Sequence, residues 1–175
     1  MTNLAYIEHY TIEDYKRWEG DWELIDGVPY AMSPFAKPNH QFVSLQIASK
    51  LKELLENCPN CYALIESEWV VSEDTIVRPD VMVVCDVSLE ETITKTPKLI
   101  FEVVSKSSLK RDEQLKFELY RQEGVEYYGL AYLESKRVKL YRLDSGRYTQ
   151  ILGKPFTIQL DRCGFELELE DLFNF

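Results

Sequence analysis

The chain has 175 residues, of which 45% are hydrophobic and 13% aromatic, and a net charge of −10. That length suits one domain with a sizeable core, residues 1–175, and the composition excludes a disordered tail. The acidic balance argues against a nucleic-acid surface, which normally carries a basic excess because phosphate contacts supply most non-specific affinity.

No apolar run approaches membrane-spanning length, and the N-terminus lacks a basic-then-apolar signal pattern, so no membrane partner and a cytoplasmic location are expected. From Thr11 a short helix begins, with Asp14 at the capping-box position. Trp22-Glu23-Leu24-Ile25 then meets Asp26-Gly27, a strong two-residue hairpin signal, before Val28-Pro29-Tyr30-Ala31-Met32 returns. Pro29 places the returning strand at an edge or bulge. Glu23 shares a strand face with Ile25 and is either a solvated residue or a metal carboxylate.

Residues 33–38 read as a loop. A helix follows over residues 39–57, because Val43, Ile47, Leu51, Leu54 and Leu55 recur at helical spacing. His40 lies one turn before Val43 on that stripe, as a packed residue or a site residue. Cys58 and Cys61 form a C-x-x-C, but Cys85 and Cys163 stand alone and neither histidine has zinc-finger spacing. A zinc or redox site is therefore not expected, and the cysteines fit the cytoplasm. Residues 61–65 and 68–71 read as one long or bent strand.

Two apolar runs follow, Arg78-Pro79-Asp80-Val81-Met82-Val83-Val84 and Leu99-Ile100-Phe101-Glu102-Val103-Val104. Each is too short for a helix and apolar at consecutive positions, as in a strand covered on both faces. Side chains alternate along a strand, so Glu102 shares a face with Ile100 and Val104 and points into apparent core. A buried carboxylate is costly unless paired or metal-bound. Asp80 could simply pair with Arg78, and Glu102 with a lysine of the next helix. Together, two carboxylates on neighbouring strands followed by a lysine make an oxygen cage of the kind Mg²⁺ prefers, plus a cation to steady an attacking water.

Ser107 or Ser108 caps a helix that Gly124 stops. Leu109, Leu115, Leu119 and Tyr120 fall on one stripe at 100° per residue, and Lys116 falls inside it, either directed inward or snorkelling. Charge is uneven along the chain: residues 1–30 hold seven acidic side chains against two basic, residues 94–116 six basic against three acidic. Successive strands occupy residues 125–133, 137–143 and 147–151, the last two turning at Asp144-Ser145-Gly146. The tail alternates from Phe165 and ends in a short helix or turn.

Trp22-Glu23-Leu24-Ile25-Asp26-Gly27, Met32-Ser33-Pro34, His40, Arg78-Pro79-Asp80-Val81, Phe101-Glu102-Val103-Val104-Ser105, the helix bearing Asp112, Lys116 and Tyr120, and Gly124-Val125-Glu126-Tyr127-Tyr128 resemble the Uma-two family of restriction endonucleases. The resemblance covers nearly the whole chain. It implies an α/β, restriction-endonuclease-like fold of the PD-(D/E)XK superfamily: a mixed central sheet flanked by helices, with an N-terminal hairpin and C-terminal antiparallel strands. It also implies cleavage of phosphodiester bonds in DNA with Mg²⁺ or Mn²⁺. Asp80 matches the first carboxylate of the pattern and Glu102 the second. Val104 stands where the usual lysine would be, and Lys116 matches the lysine that replaces it in this family. Lys106 stands where a proline is usual and Leu130-Ala131-Tyr132 where Val-Asp-Pro is usual. The first departure leaves Lys106 as an alternative to Lys116, although the helical stripe favours Lys116.

The expectation is thus a metal-dependent endonuclease, acting as a homodimer because a duplex presents two strands. Asp80, Glu102 and the Val103 carbonyl would hold the metal with Glu23 as a candidate third carboxylate, Lys116 would act on the water, and His40 and Lys106 are further candidates. The alternative, which the acidic charge supports, is a non-catalytic binding or assembly module that keeps the fold.

Overall fold

The computed structural model describes residues 7–33 and 36–175. The readings of residues 1–6 and of positions 34 and 35 in the loop fall outside them. At the N-terminus α1 (Ile12–Tyr15) is closed by Thr11, whose amide donates to Asp14 Oδ2 at 2.9 Å. The hairpin of β1 (Trp22–Ile25) and β2 (Val28–Ala31) turns at Asp26 and Gly27, with φ of 49° and 72°. Two left-handed residues in a row match the twist of paired strands, which is why Asp-Gly stands there. With β4 (Trp69–Ser72) and β5 (Thr75–Val77) the hairpin builds a sheet of order β2-β1-β5-β4. Pro29 indeed sits on an edge strand, where its missing N–H costs no ladder bond.

The central sheet contains β3 (Cys61–Ile65), β6 (Val81–Cys85), β7 (Leu99–Val104), β8 (Tyr127–Tyr132), β9 (Arg137–Asp144) and β10 (Arg147–Ile151). Its order is β10-β9-β8-β7-β6-β3, and only β7 and β8 run parallel. Every residue of β6 and β7 is buried, as their continuous apolar runs require. One face, carrying Leu99, Phe101 and Val103, packs against α2 (Pro38–Leu54) and a C-terminal hairpin of β11 (Phe156–Gln159) and β12 (Gly164–Leu167). The other carries Ile100 and Val104 against Ile25, Trp69 and Tyr120. At Gly129 of β8 a Cβ would overlap the buried Phe101 ring, so only glycine lets the two parallel strands pack there.

As expected, the tail alternates as a strand, β12, and then turns, with Leu167, Leu169 and Leu172 buried. Two expectations are corrected. Residues 61–71 are not one strand: Glu66 has φ 45° and the chain leaves the central sheet there, so β3 and β4 belong to different sheets. Cys85 and Cys163 do not stand alone. Pairing of β3 with β6 sets Cys61 opposite Cys85, and these are disulfide-bonded, as are Cys58 and Cys163. Disulfides are rare in reducing compartments, so the cysteine argument for the cytoplasm no longer stands. Among the described residues no helix is long and apolar enough to cross a membrane.

The helix after β7 also departs from a regular one. It contains a wide π turn over Arg111–Leu115, in which the Lys116 amide bonds the Arg111 carbonyl five residues back, and continues as α3 (Lys116–Gln122). The extra residue in that turn rotates what precedes it by about 100°. Leu109, expected on the inward stripe, is accordingly 40% exposed. Gly124, with φ 77°, ends the helix as expected.

Candidate active site

Asp80 precedes β6 and Glu102 lies in β7, and the antiparallel register that pairs Val81 with Phe101 brings the two carboxylates side by side. The Val103 amide donates to Asp80 Oδ2 at 2.7 Å, and the Asp80 amide points at Glu102 Oε2 at 3.4 Å. His40, in the first turn of α2, places Nε2 3.3 Å from Asp80 Oδ2. Burial alone would push Asp80 up, but the His40 hydrogen bond and charge, with the Val103 amide, hold it below the usual carboxylate range. Burial likewise pulls His40 down, yet Asp80 outweighs it and the imidazole is raised. Asp80 does not pair with Arg78, because the Arg78 guanidinium reaches Asp21 instead, at 2.5 Å.

Glu102 points into the second core, as strand alternation requires, and is 3% exposed. Its Oε1 accepts from Lys116 Nζ at 3.0 Å and from the Tyr120 hydroxyl at 2.8 Å. Lys116 is itself buried and does not snorkel. Its ammonium lies between Glu102 and Glu23, whose Oε1 is 2.8 Å away and also accepts from the Arg78 amide at 2.9 Å. Burial excludes the solvated reading of Glu23. Desolvation lifts Glu102 well above the ordinary carboxylate value; Lys116 opposes the rise, while Asp80, Asp112 and Glu23 add to it. Desolvation pulls Lys116 down, but Glu102 and Glu23 more than reverse this, so the ammonium stays charged at neutral pH.

The sequence reading missed Asp112 and the Tyr120 hydroxyl as site groups. Asp112 is 2% exposed, and its Oδ2 has no hydrogen-bond partner among the described residues. Desolvation raises it to about 6. In a regular helix the Asp112 carbonyl would accept from the Lys116 amide; in the π turn it accepts from the Tyr128 hydroxyl at 2.9 Å. The signal available was the spacing of Asp112, Lys116 and Tyr120, four residues apart and hence on one helix face.

Lys106 lies along the same cleft, but its side chain is 83% exposed and pairs with Glu134 at 3.0 Å, not with Glu102. The basic side chains of residues 94–116 are not gathered in one place. Lys95 and Lys98 pair with Asp86, Glu126 and Asp161, and Lys98 stands four residues before Glu102, about 13 Å along β7. Arg111 does reach the cleft, 3.8 Å from Glu23 Oε2 and stacked over Tyr30.

Glu23, His40, Asp80, Glu102, Arg111, Asp112 and Lys116 line a cleft of about 640 Å³ that also holds Lys37, Ser105 and Ser108. Among the described residues no three His, Cys, Asp or Glu side chains stand in a preformed metal-binding cluster. The donor set nevertheless suits a hard divalent cation. Asp80 and Glu102 converge, Oδ1 of Asp80 is left without a protein hydrogen bond among the described residues, and the Asp112 oxygen is buried and unpartnered. Carboxylates forced together in this way are what Mg²⁺ or Mn²⁺ relieves.

A crystal structure from Anabaena variabilis ATCC 29413, described as "a putative nuclease belonging to DUF820", superposes with a TM-score of 0.73 over 94% of this chain and 97% of that one, at 15% identity. At that identity the likeness establishes the fold alone, a mixed α/β architecture. No curated protein matches the sequence. The Uma2 family, described as "Putative restriction endonuclease", matches residues 12–170, which takes in both carboxylates and Lys116, and the chain belongs to that family.

Proposed function

We propose that the protein is a divalent-metal-dependent endonuclease that hydrolyses phosphodiester bonds in DNA. The observation that carries this reading is the Lys116 ammonium, buried between Glu102 and Glu23 and next to Asp80 at the floor of an open cleft. Asp80, Glu102 and the Val103 carbonyl would hold Mg²⁺ or Mn²⁺. The bound cation would supply Lewis acidity, lowering the pKa of water and neutralising charge on the phosphate.

The chain's own groups do the rest. Lys116 remains protonated, so it acts as a donor that orients the water or the phosphate oxygen, and not as the base. Glu23 positions Lys116, since its Oε1 is already engaged by that ammonium and the Arg78 amide. The Tyr120 hydroxyl fixes the Glu102 rotamer. His40 steadies Asp80, and the Val103 amide sets the same carboxylate from the neighbouring strand. As one cleft addresses one strand, the proposal includes a homodimer on duplex DNA, which sedimentation in the presence of Mg²⁺ tests.

The second reading, a binding module without turnover, is favoured by one observation: Lys116 and His40 already sit against Glu102, Glu23 and Asp80. Melting with metal separates the two. Binding at a free concentration 100 times the dissociation constant adds about 2.7 kcal/mol, or roughly 5–10 °C for a chain of this size. Wild type should show that shift with Mg²⁺ or Mn²⁺ against chelator, and Asp80→Asn/Glu102→Gln should not. An equal shift in both places the ion elsewhere, and no shift in either supports the binding module.

A further inference from the structure

We propose that Asp112 is the proton acceptor for the attacking water, a catalytic residue that stands beside Asp80 and Glu102 without sharing their ion. The inference rests on the nuclease reading and adds the one role that Lys116, a donor, leaves open.

Water attacks a phosphodiester readily only when a base within hydrogen-bond reach takes its proton. The other buried groups of the cleft are already engaged. Glu23 Oε1 accepts from Lys116 and the Arg78 amide, Glu102 Oε1 from Lys116 and the Tyr120 hydroxyl, and Asp80 Oδ2 from the Val103 amide. His40 Nδ1 is unpartnered, but the ring faces Asp80, which favours the protonated imidazolium and so makes that nitrogen a donor. Glu66 and Glu134 also line the cleft and are exposed, with Glu134 paired to Lys106. Asp112 differs from all of these. It is 2% exposed, it lines the cleft, and its Oδ2 has no hydrogen-bond partner among the described residues. Buried polar atoms are nearly always satisfied, so an orphaned carboxylate oxygen in a cleft wall points to a ligand from outside the chain.

Its placement selects water as that ligand. Asp112 lies four residues before Lys116 on the same helix face, and the Tyr128 hydroxyl, donating to the Asp112 carbonyl at 2.9 Å, fixes the turn that carries the side chain. Lys116 pairs with Glu102 and Glu23 but not with Asp112, although its charge is the main force opposing the rise of the Asp112 carboxyl. The two groups are therefore close without touching, which suits one water that accepts from the ammonium and donates to the carboxylate. Among the described residues no third His, Cys, Asp or Glu joins Asp80 and Glu102 in a preformed metal cluster, so Asp112 stands outside the ligand set. Burial raises its carboxyl to about 6, which leaves it ionised at neutral pH and more basic than a solvated carboxylate.

As the water oxygen bonds to phosphorus, its proton passes to Asp112 and the bond from phosphorus to the leaving oxygen breaks. The departing oxygen takes a proton from bulk water in the open cleft, and Asp112 returns its own to solvent after product leaves.

Single-turnover cleavage of a labelled duplex at saturating Mn²⁺, followed from about pH 6 to about pH 9 beside melting with and without Mn²⁺, tests this role. Asp112→Asn should melt close to wild type and keep the Mn²⁺ shift, yet cleave roughly 10²-fold or more slowly at neutral pH. Wild type should level off above about pH 7, whereas Asp112→Asn should keep rising by about tenfold per pH unit as hydroxide replaces the base, so that the gap narrows. Lys116 on the same helix, Glu23 from β1, Asp80 before β6, Glu102 from β7 and His40 from α2 face Asp112 and are common to both proteins, so the difference between the profiles isolates Asp112. Asp112→Ala gives a second readout: added formate, and not chloride, should raise its rate by roughly 10-fold or more. Cleavage by Asp112→Asn within about threefold of wild type, a slow but parallel profile, a lost Mn²⁺ shift, or no response of Asp112→Ala to formate would each overturn the proposal. Wild type that cuts nothing overturns the nuclease reading, and this proposal with it, before any variant is compared.

Discussion

Lys116→Ala should lower turnover of DNA by roughly 10²-fold or more while leaving affinity for DNA nearly unchanged. Among the described residues the ammonium is the one cation buried at the junction of Glu102 and Glu23, at 3.0 and 2.8 Å, and it faces the cleft where the scissile phosphate would lie. Its loss removes a donor to the reacting oxygens, leaves Glu102 without a counter-charge and leaves Glu23 only Arg111, 3.8 Å away. Breaking a buried pair from one side costs about 3–5 kcal/mol, so the melting temperature should also fall, by roughly 6–20 °C. Lys116→Ala in a Glu23→Gln background removes one of the orphaned carboxylates; it should recover part of the stability and none of the turnover. Lys106→Ala is the contrast. Its exposed ammonium pairs only with Glu134, so turnover should hold within a few-fold, and a loss of cleavage here with cleavage retained in Lys116→Ala would reverse the assignment.

Glu102→Gln should lower turnover further, by roughly 10³-fold, because metal assistance supplies several kcal/mol of charge stabilisation and each 1.36 kcal/mol is tenfold in rate. The fold should tolerate it. Glutamine still accepts from Tyr120 and Lys116, Glu23 still balances the ammonium, and a carboxylate that burial already drives toward its neutral form is removed. Opposite signatures at the two ends of one ion pair are therefore expected: loss of the cation costs stability and rate, loss of the carboxylate costs rate alone. Differential melting beside gel-based cleavage reads both. If Glu102→Gln melts as low as Lys116→Ala and cleaves like wild type, the pair is merely structural.

Much of this site was legible in the sequence because strands and helices impose simple periods. Alternation in Leu99-Ile100-Phe101-Glu102 placed Glu102 inward, and the helical stripe placed Lys116 toward it. What stayed hidden depended on contacts far apart in sequence or on a local break in period. Arg78 looked like the partner of Asp80, two residues on, but its guanidinium finds Asp21, just before β1 of the other sheet. Asp112 was obscured by the π turn, which turns Leu109 outward and opens the helix at the cleft. Tyr120 counted as apolar packing because its hydroxyl has no signature until Glu102 is in place. The disulfides depended on strand register, which set Cys61 against Cys85.

Cleavage of labelled single-stranded and double-stranded DNA by the purified protein, with Mg²⁺, with Mn²⁺ and with chelator, tests the central claim most directly. The account predicts cutting with either metal, none in chelator, and none above background in Glu102→Gln. Failure of the wild-type protein to cut either form of DNA with either metal, under conditions where it is folded, would contradict it.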